Sequence, residues 1–191
     1  MCWSDSNKGC QLFFLDPYSN FITGEPVQLN GRKGVLHMRQ IIIARKDLNM
    51  SPGKLAAQVS HGSMAFISHK IRNTLGYYAP IGINDPSLWT SYNATISIDI
   101  AEWQDWWNGV FTKTVCEAKN FNQLMKAKTI AEELGLREGV DFFLIWDACL
   151  TELEPEIIDD NGVGRTLTCI GFRPLDDETA WKISKKFQLY K

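Results

Sequence analysis

Gln40 to Ala44 reads Gln-Ile-Ile-Ile-Ala, a β-branched apolar run with no alternation. Such a run fits a strand buried on both faces, and that strand needs covering layers above and below it. A helix start follows at Ser51-Pro52, a cap residue with proline at the first helical position, and the helical pattern continues through Ile67. Thr112 to Ala118 reads as the next strand, and Asn120 to Leu134 as a helix closed by Gly135. Phe142 to Trp146 and Thr166 to Phe172 are further strand runs, and Asp176 to Phe187 is a last helix capped by Asp176 or Asp177. A weaker alternating stretch, Ala94 to Ile100, reads as a short strand inside an aromatic-rich region. Strands alternating with helices predict an α/β layered domain around a largely buried mixed sheet.

The pattern begins at Met38. Residues 1–37 are rich in Gly, Asn, Ser and Asp, with two short apolar runs, Leu12 to Leu15 and Val27 to Leu29, that could pair as a hairpin around Asp16–Asn20. They read as an accessory extension on a domain spanning residues 38–191. A chain of 191 residues with 45% hydrophobic and 22% charged residues has the composition of an ordinary globular protein. No apolar run reaches the length of a membrane-crossing helix, and the first residues lack a basic start followed by an apolar stretch. Five cysteines without a CxxC pair argue against a disulfide scaffold or a zinc cage and fit a reducing cytoplasm.

The segment from Asp47 to His61 carries the densest chemistry. Lys54, Gln58 and His61 stand at i, i+4 and i+7 and share one helix face. Lysine in a first turn opposes the helix dipole by roughly 0.3–1 kcal/mol when exposed, a placement that makes sense if an anion is held there. The plain alternative is a solvated lysine and a structural histidine. Small neighbours, Ala56, Ala57, Ser60 and Gly62, permit close approach to this stripe.

At these residues the chain resembles the archaeal/eukaryotic-type (type 2) peptidyl-tRNA hydrolases. The resemblance runs from Arg39-Gln40-Ile-Ile-Ile-Ala-Arg45-Lys46-Asp47 through Gly53-Lys54-Leu-Ala-Ala-Gln58 to His61. It resumes at Gly109 and Thr112-Lys113-Thr-Val115, then at Asp147-Ala148, Thr151, Pro155 and Thr166-Leu-Thr-Cys-Ile-Gly171. It implies a three-layer α/β/α fold with a four-stranded mixed sheet. It also implies hydrolysis of the ester joining peptide to tRNA, with no metal and no organic cofactor. The partner implied is peptidyl-tRNA, with no membrane; family members are often dimeric, which allows a homodimer. By resemblance Lys54, Asp147, Thr151 and Thr166 occupy the catalytic positions, with Gln58 and His61 close by.

Ester cleavage at neutral pH needs a positioned water and a group to hold the developing oxyanion. Asp147 follows the apolar run Phe142–Trp146, at a strand exit where α/β sheets place ligands, and could orient water or act as a weak base. Lys54 could hold an oxyanion or a phosphate, and Thr151 and Thr166 offer hydroxyls for the water or ester. His61 titrates in the physiological range, and its role stays open. Arg45 and Lys46, with Arg39, Lys54, Lys70 and Arg72, would make a basic, substrate-binding surface. The formal charge of −2 hides two opposed segments: six Lys/Arg against Asp47 between Arg39 and Arg72, and six acids with no base between Asp147 and Asp160.

The family pattern Asp-Ala-Gly-x-Thr-Gln here reads Asp147-Ala148-Cys149-Leu150-Thr151-Glu152. Cys149 replaces a residue free to take positive φ, and Glu152 adds a negative charge where tRNA phosphates would approach. The Thr151–Thr166 loop is long and acidic, and the stretch between Ser68 and Trp103 is expanded, with Tyr77, Tyr78, Trp89 and Tyr92 in it. Two other readings share these residues: a non-catalytic RNA- or protein-binding module, and a hydrolase for another small, cationic ester or amide. Cys149 as a thiol nucleophile lacks a nearby Cys/His motif. Trp103, Trp106 and Trp107, at i, i+3 and i+4, fit a short amphipathic helix packed on a core better than a base-stacking platform.

Overall fold

The computed structural model describes residues 37–74 and 94–191. Strand β1 (Met38–Arg45) is buried from Gln40 onward. Successive side chains of a strand point to opposite faces, so Ile41 and Ile43 enter one core cluster while Ile42 and Ala44 enter another. The first cluster receives Leu124, Ala127 and Ala131 from helix α3 (Phe121–Glu133) and Ala180 and Ile183 from α4 (Asp177–Ser184). Leu55 and Val59 of α1 (Pro52–Thr74) cover the second. The unbroken Ile run is thus satisfied by helices on both faces, giving the expected three layers.

Four long strands form the centre of the sheet in the order β3 (Phe142–Asp147), β5 (Gly164–Phe172), β1, β2 (Lys113–Ala118). β1 and β2 run parallel, and β5 is antiparallel to both β1 and β3, so the sheet is mixed. The expected count of four falls short of the seven observed among the described residues. Two-residue strands β4 (Ile157–Ile158), β6 (Leu175–Asp176) and β7 (Gln188–Leu189) pair with β5, β1 and β2. Pieces that short carry no readable alternation.

Other boundaries shift for local reasons. α1 runs on past Ile67 to Thr74, because no glycine or proline interrupts it and Arg72 suits its last turn. Phe66 and Ile67 are held there by the buried ring of Trp106. Ala94 to Ile100 is not a strand: residues 94–99 are irregular, and the Asp99 carboxylate accepts from the amides of Ala101 and Glu102 to cap the short helix α2 (Ile100–Glu102). A π-helical segment, Trp103–Val110, follows. In it Trp106 is buried and donates from Nε1 to the Thr112 carbonyl, Trp107 donates to Glu102, and Trp103 stays about half exposed. Packing therefore accounts for two of the three tryptophans. The hairpin expected within residues 1–37, and Tyr77, Tyr78, Trp89 and Tyr92, lie outside the described residues. No helix among the described residues is long and apolar enough to cross a membrane.

One close contact sets the depth at which α1 lies. A Cβ built on Gly171 of β5 would overlap the Gly62 carbonyl and stand 2.6 Å from the Gly62 Cα. The helix backbone therefore rests directly on the strand, which lowers its first two turns toward the ends of β3 and β5.

Candidate active site

Asp147 is the last residue of β3 and pairs across the ladder with Thr166. Lys54 stands in the first turn of α1, where its amide donates to the Ser51 hydroxyl. These positions bring Lys54 Nζ to 2.7 Å from Asp147 Oδ2 and 3.0 Å from Thr151 Oγ1. Gln58, one turn further along, donates from Nε2 to the same Asp147 Oδ2 at 2.7 Å. On the other carboxylate oxygen, Oδ1 accepts the Cys149 amide at 2.9 Å. The cation that looked misplaced at a helix start is thus matched by a carboxylate.

Burial by itself would push the Asp147 carboxyl up. The Lys54 hydrogen bond, the Cys149 amide, the Lys54 charge and the Gln58 amide together outweigh it and hold the group below its ordinary 3.8. Asp147 is therefore ionised at neutral pH and a weak proton acceptor. Lys54 can donate three hydrogen bonds; Asp147 and Thr151 take two, and no other described residue takes the third.

The remaining expected residues fall in different places. Thr166 is buried, its hydroxyl donating to the Glu154 carbonyl at 2.6 Å and accepting the Glu156 amide at 3.1 Å. It ties down the acidic loop rather than facing Lys54. His61 is exposed and makes no hydrogen bond with any described residue. At 1.5 Å rise per residue it stands about 10 Å along the axis from Lys54, on the same side of the helix but beyond reach of the Lys54–Asp147 pair. Arg45 is only 3% exposed, and its guanidinium is taken up by Asp47, Glu156 and the Leu167 carbonyl. Burial opposes its charge, but the two carboxylates outweigh that and raise its pKa. Lys46 is nearly half exposed, faces the Tyr190 ring and Glu117, and lines an open groove with Asn49, Met50, Pro52 and Leu55.

Cys149 takes φ +54° with a side chain in place. Left-handed backbone costs a non-glycine residue roughly 1–2 kcal/mol, and here the Asp147 carboxylate holds the turn by accepting the Cys149 amide. The thiol lies against the Thr166 hydroxyl and the Asp147 carbonyl, with no imidazole hydrogen-bonded to it among the described residues. Glu152 accepts the Ser51 amide at 2.9 Å, at the start of α1. Glu156 pairs with Arg45, and Asp159 with Arg165 at 2.9 Å. Four of the six acids between Asp147 and Asp160 are thereby engaged inside the protein.

Sequence reasoning passed over Thr168. Its fully buried hydroxyl lies 2.6 Å from Gln58 Oε1. The available signal was a second hydroxyl two residues after Thr166, in a strand otherwise apolar. Among the described residues no three His, Cys, Asp or Glu side chains are grouped to hold a metal ion.

The Lys54–Asp147 pair, with side chains 15% and 10% exposed and the Thr151 hydroxyl beside it, stands at the end of a buried sheet, an arrangement chemically able to polarise a carbonyl or position water. The model of the family described as peptidyl-tRNA hydrolase PTH2 matches residues 38–190, so the chain belongs to that family. It is 32% identical to a peptidyl-tRNA hydrolase of Methanopyrus kandleri over 141 residues, covering 73% of this chain and 87% of that protein. To peptidyl-tRNA hydrolases of Thermococcus sibiricus and Haloquadratum walsbyi it is 30% and 29% identical, covering 79% and 80% of this chain and 96% and 100% of theirs.

Proposed function

We propose that this site hydrolyses the ester between peptide and tRNA, and that Lys54, Asp147 and Thr151 carry the reaction. The observation that supports it most is the Lys54 ammonium bridging Asp147 and Thr151 with a third N–H uncommitted among the described residues. In this reading the ester carbonyl accepts that N–H, and the charge developing on its oxygen is stabilised there. A water held between the Thr151 hydroxyl and the free lone pair of Asp147 Oδ1 attacks the carbonyl carbon. One water proton leaves toward Asp147, the bond to the ribose oxygen breaks, and that oxygen takes up a proton. Asp147 is a weak base, so orienting the water and holding Lys54 charged are its main contributions. Gln58 keeps the carboxylate in place, and Thr166 keeps the loop that carries Thr151.

Binding of tRNA falls to Lys46 and the exposed charges of α1, with Arg45 supporting the loop from within and His61 at the rim. Residues 1–37 act as an accessory extension to the 38–191 domain. A homodimer working in the cytoplasm completes this reading. Glu156 and Asp159 are already paired with arginines, which weakens the case for a cationic small substrate.

The test is peptide release from peptidyl-tRNA by the purified chain and by Lys54→Ala. Losing the oxyanion donor should lower kcat about 10²- to 10³-fold. A wild-type chain that binds tRNA but releases no peptide would leave the binding-module reading standing instead.

A further inference from the structure

The β3–β5 ladder contains an irregularity beside the site. Ile145 pairs with Cys169, but the next residue, Trp146, pairs with Leu167, so Thr168 is an extra residue on β5. A bulge of this kind re-aims side chains, because two consecutive residues no longer point to opposite faces. Leu167 and Ile170 both enter the core under α3 and α4, while Cys169 packs beneath α1. Thr168 is turned the same way as Cys169, and both meet Gln58: the Cys169 thiol at the backbone carbonyl, the Thr168 hydroxyl at the side-chain oxygen.

The hydrogen bonds here run in one direction. Asp147 is a carboxylate and can only accept, so the Gln58 amide must turn its nitrogen toward Asp147 and its oxygen toward Thr168. An amide oxygen also only accepts, and so does the Ile145 carbonyl; the single Thr168 proton lies within reach of both, with the shorter contact, 2.6 Å against 3.0 Å, made to Gln58 Oε1. Gln58 is only 3% exposed, which leaves water little access to replace that donor.

We propose that Thr168, swung under α1 by the β5 bulge, is a positioning residue that fixes the orientation of the Gln58 amide and through it the Asp147 carboxylate facing Lys54. The proposal rests on the hydrolase reading only for its kinetic consequence. Thr168→Val keeps the shape and removes the proton. The Gln58 amide then has no donor for its oxygen, and its hold on Asp147 Oδ2 loosens. Misplacement at a reacting centre costs up to about 10²-fold.

The expected result for Thr168→Val is a kcat on peptidyl-tRNA lowered about ten- to hundredfold, with KM little changed. Thr168→Ser, which restores the hydroxyl, should recover most of the rate. The acid limb of the pH–rate profile should move to higher pH, because a bond that favours the ionised Asp147 is weakened. The titratable groups facing Asp147 are Lys54 from α1 and Cys149 on its own turn, and neither is altered. A carboxyl NMR titration of Asp147 in wild type and Thr168→Val should show the same upward movement without any substrate. That measurement stands even if no peptide is released, so it separates this proposal from the hydrolase reading.

Combining Thr168→Val with Gln58→Met should add little to Gln58→Met alone, because one residue acts through the other. If Thr168→Val does not fold, the Asp147 titration in Gln58→Met still reports the link to the carboxylate, and an unmoved titration would overturn it. An unchanged Asp147 titration in Thr168→Val, or equal impairment of Thr168→Val and Thr168→Ser with lowered melting temperatures, would reduce Thr168 to a structural residue.

Discussion

Asp147 is held below its ordinary 3.8 chiefly because hydrogen bonds from Lys54, Cys149 and Gln58 outweigh its burial. A carboxyl depressed by folding contributes stability that is complete above the unfolded value and is lost as pH falls through the folded one. Wild type should therefore be more stable than Asp147→Asn at pH 7, and the gap should close as pH drops below about 4. Denaturant unfolding of both proteins across that range measures it; a gap that widens in acid would contradict the assignment. Cys149 gives a second residue-scale lesson. The sequence marks it as a bulky replacement where backbone freedom is wanted, yet the chain keeps the left-handed turn because the neighbouring carboxylate holds its amide.

At the scale of elements, the site depends on how deeply α1 sits. Ser51-Pro52 announces the start of that helix, and the apolar run Phe142–Trp146 locates the strand that ends at Asp147. Their separation is set by Gly62 against Gly171. Gly171→Ala would force helix and strand apart, at a cost of about 1–3 kcal/mol for overpacking, and would pull Lys54 and Gln58 off Asp147. Thermal unfolding should show the lost stability, and peptide release should slow more than it does for an alanine placed at exposed Gly53, where an added Cβ meets nothing. The four long strands and helices α1, α3 and α4 were legible because each repeats its pattern over several residues. The β5 bulge was not, since period-two alternation puts Thr168 and Cys169 on opposite faces and only pairing with β3 reveals the extra residue.

For the whole molecule, the question raised by a charge of −2 is how an acidic loop and a basic segment coexist. They interlock: Arg45 draws in Glu156 and Asp47, Arg165 takes Asp159, Lys54 takes Asp147, and the α1 start takes Glu152. Charges spent inside the protein do not contribute to tRNA binding. Affinity for tRNA should still fall linearly with salt on logarithmic axes, and Lys46→Gln should reduce that slope by about one. Filter binding over a salt series reads it, and an unchanged slope would remove Lys46 from the interface.

The sequence by itself determined the α/β layering, the family and the three side chains that meet at the site, Lys54, Gln58 and Asp147. Periodicity and caps, which local backbone geometry translates directly, carry the layering, while the family and the grouping of those side chains come from the resemblance to peptidyl-tRNA hydrolases. Only the tertiary structure decided that Arg45 is turned inward, that His61 stands outside, that Thr166 secures a loop, and that Thr168 reaches Gln58. Each of these depends on a partner distant along the chain. Which of two possible partners a charge or hydroxyl meets is settled by packing depth and strand register, neither of which any one segment encodes.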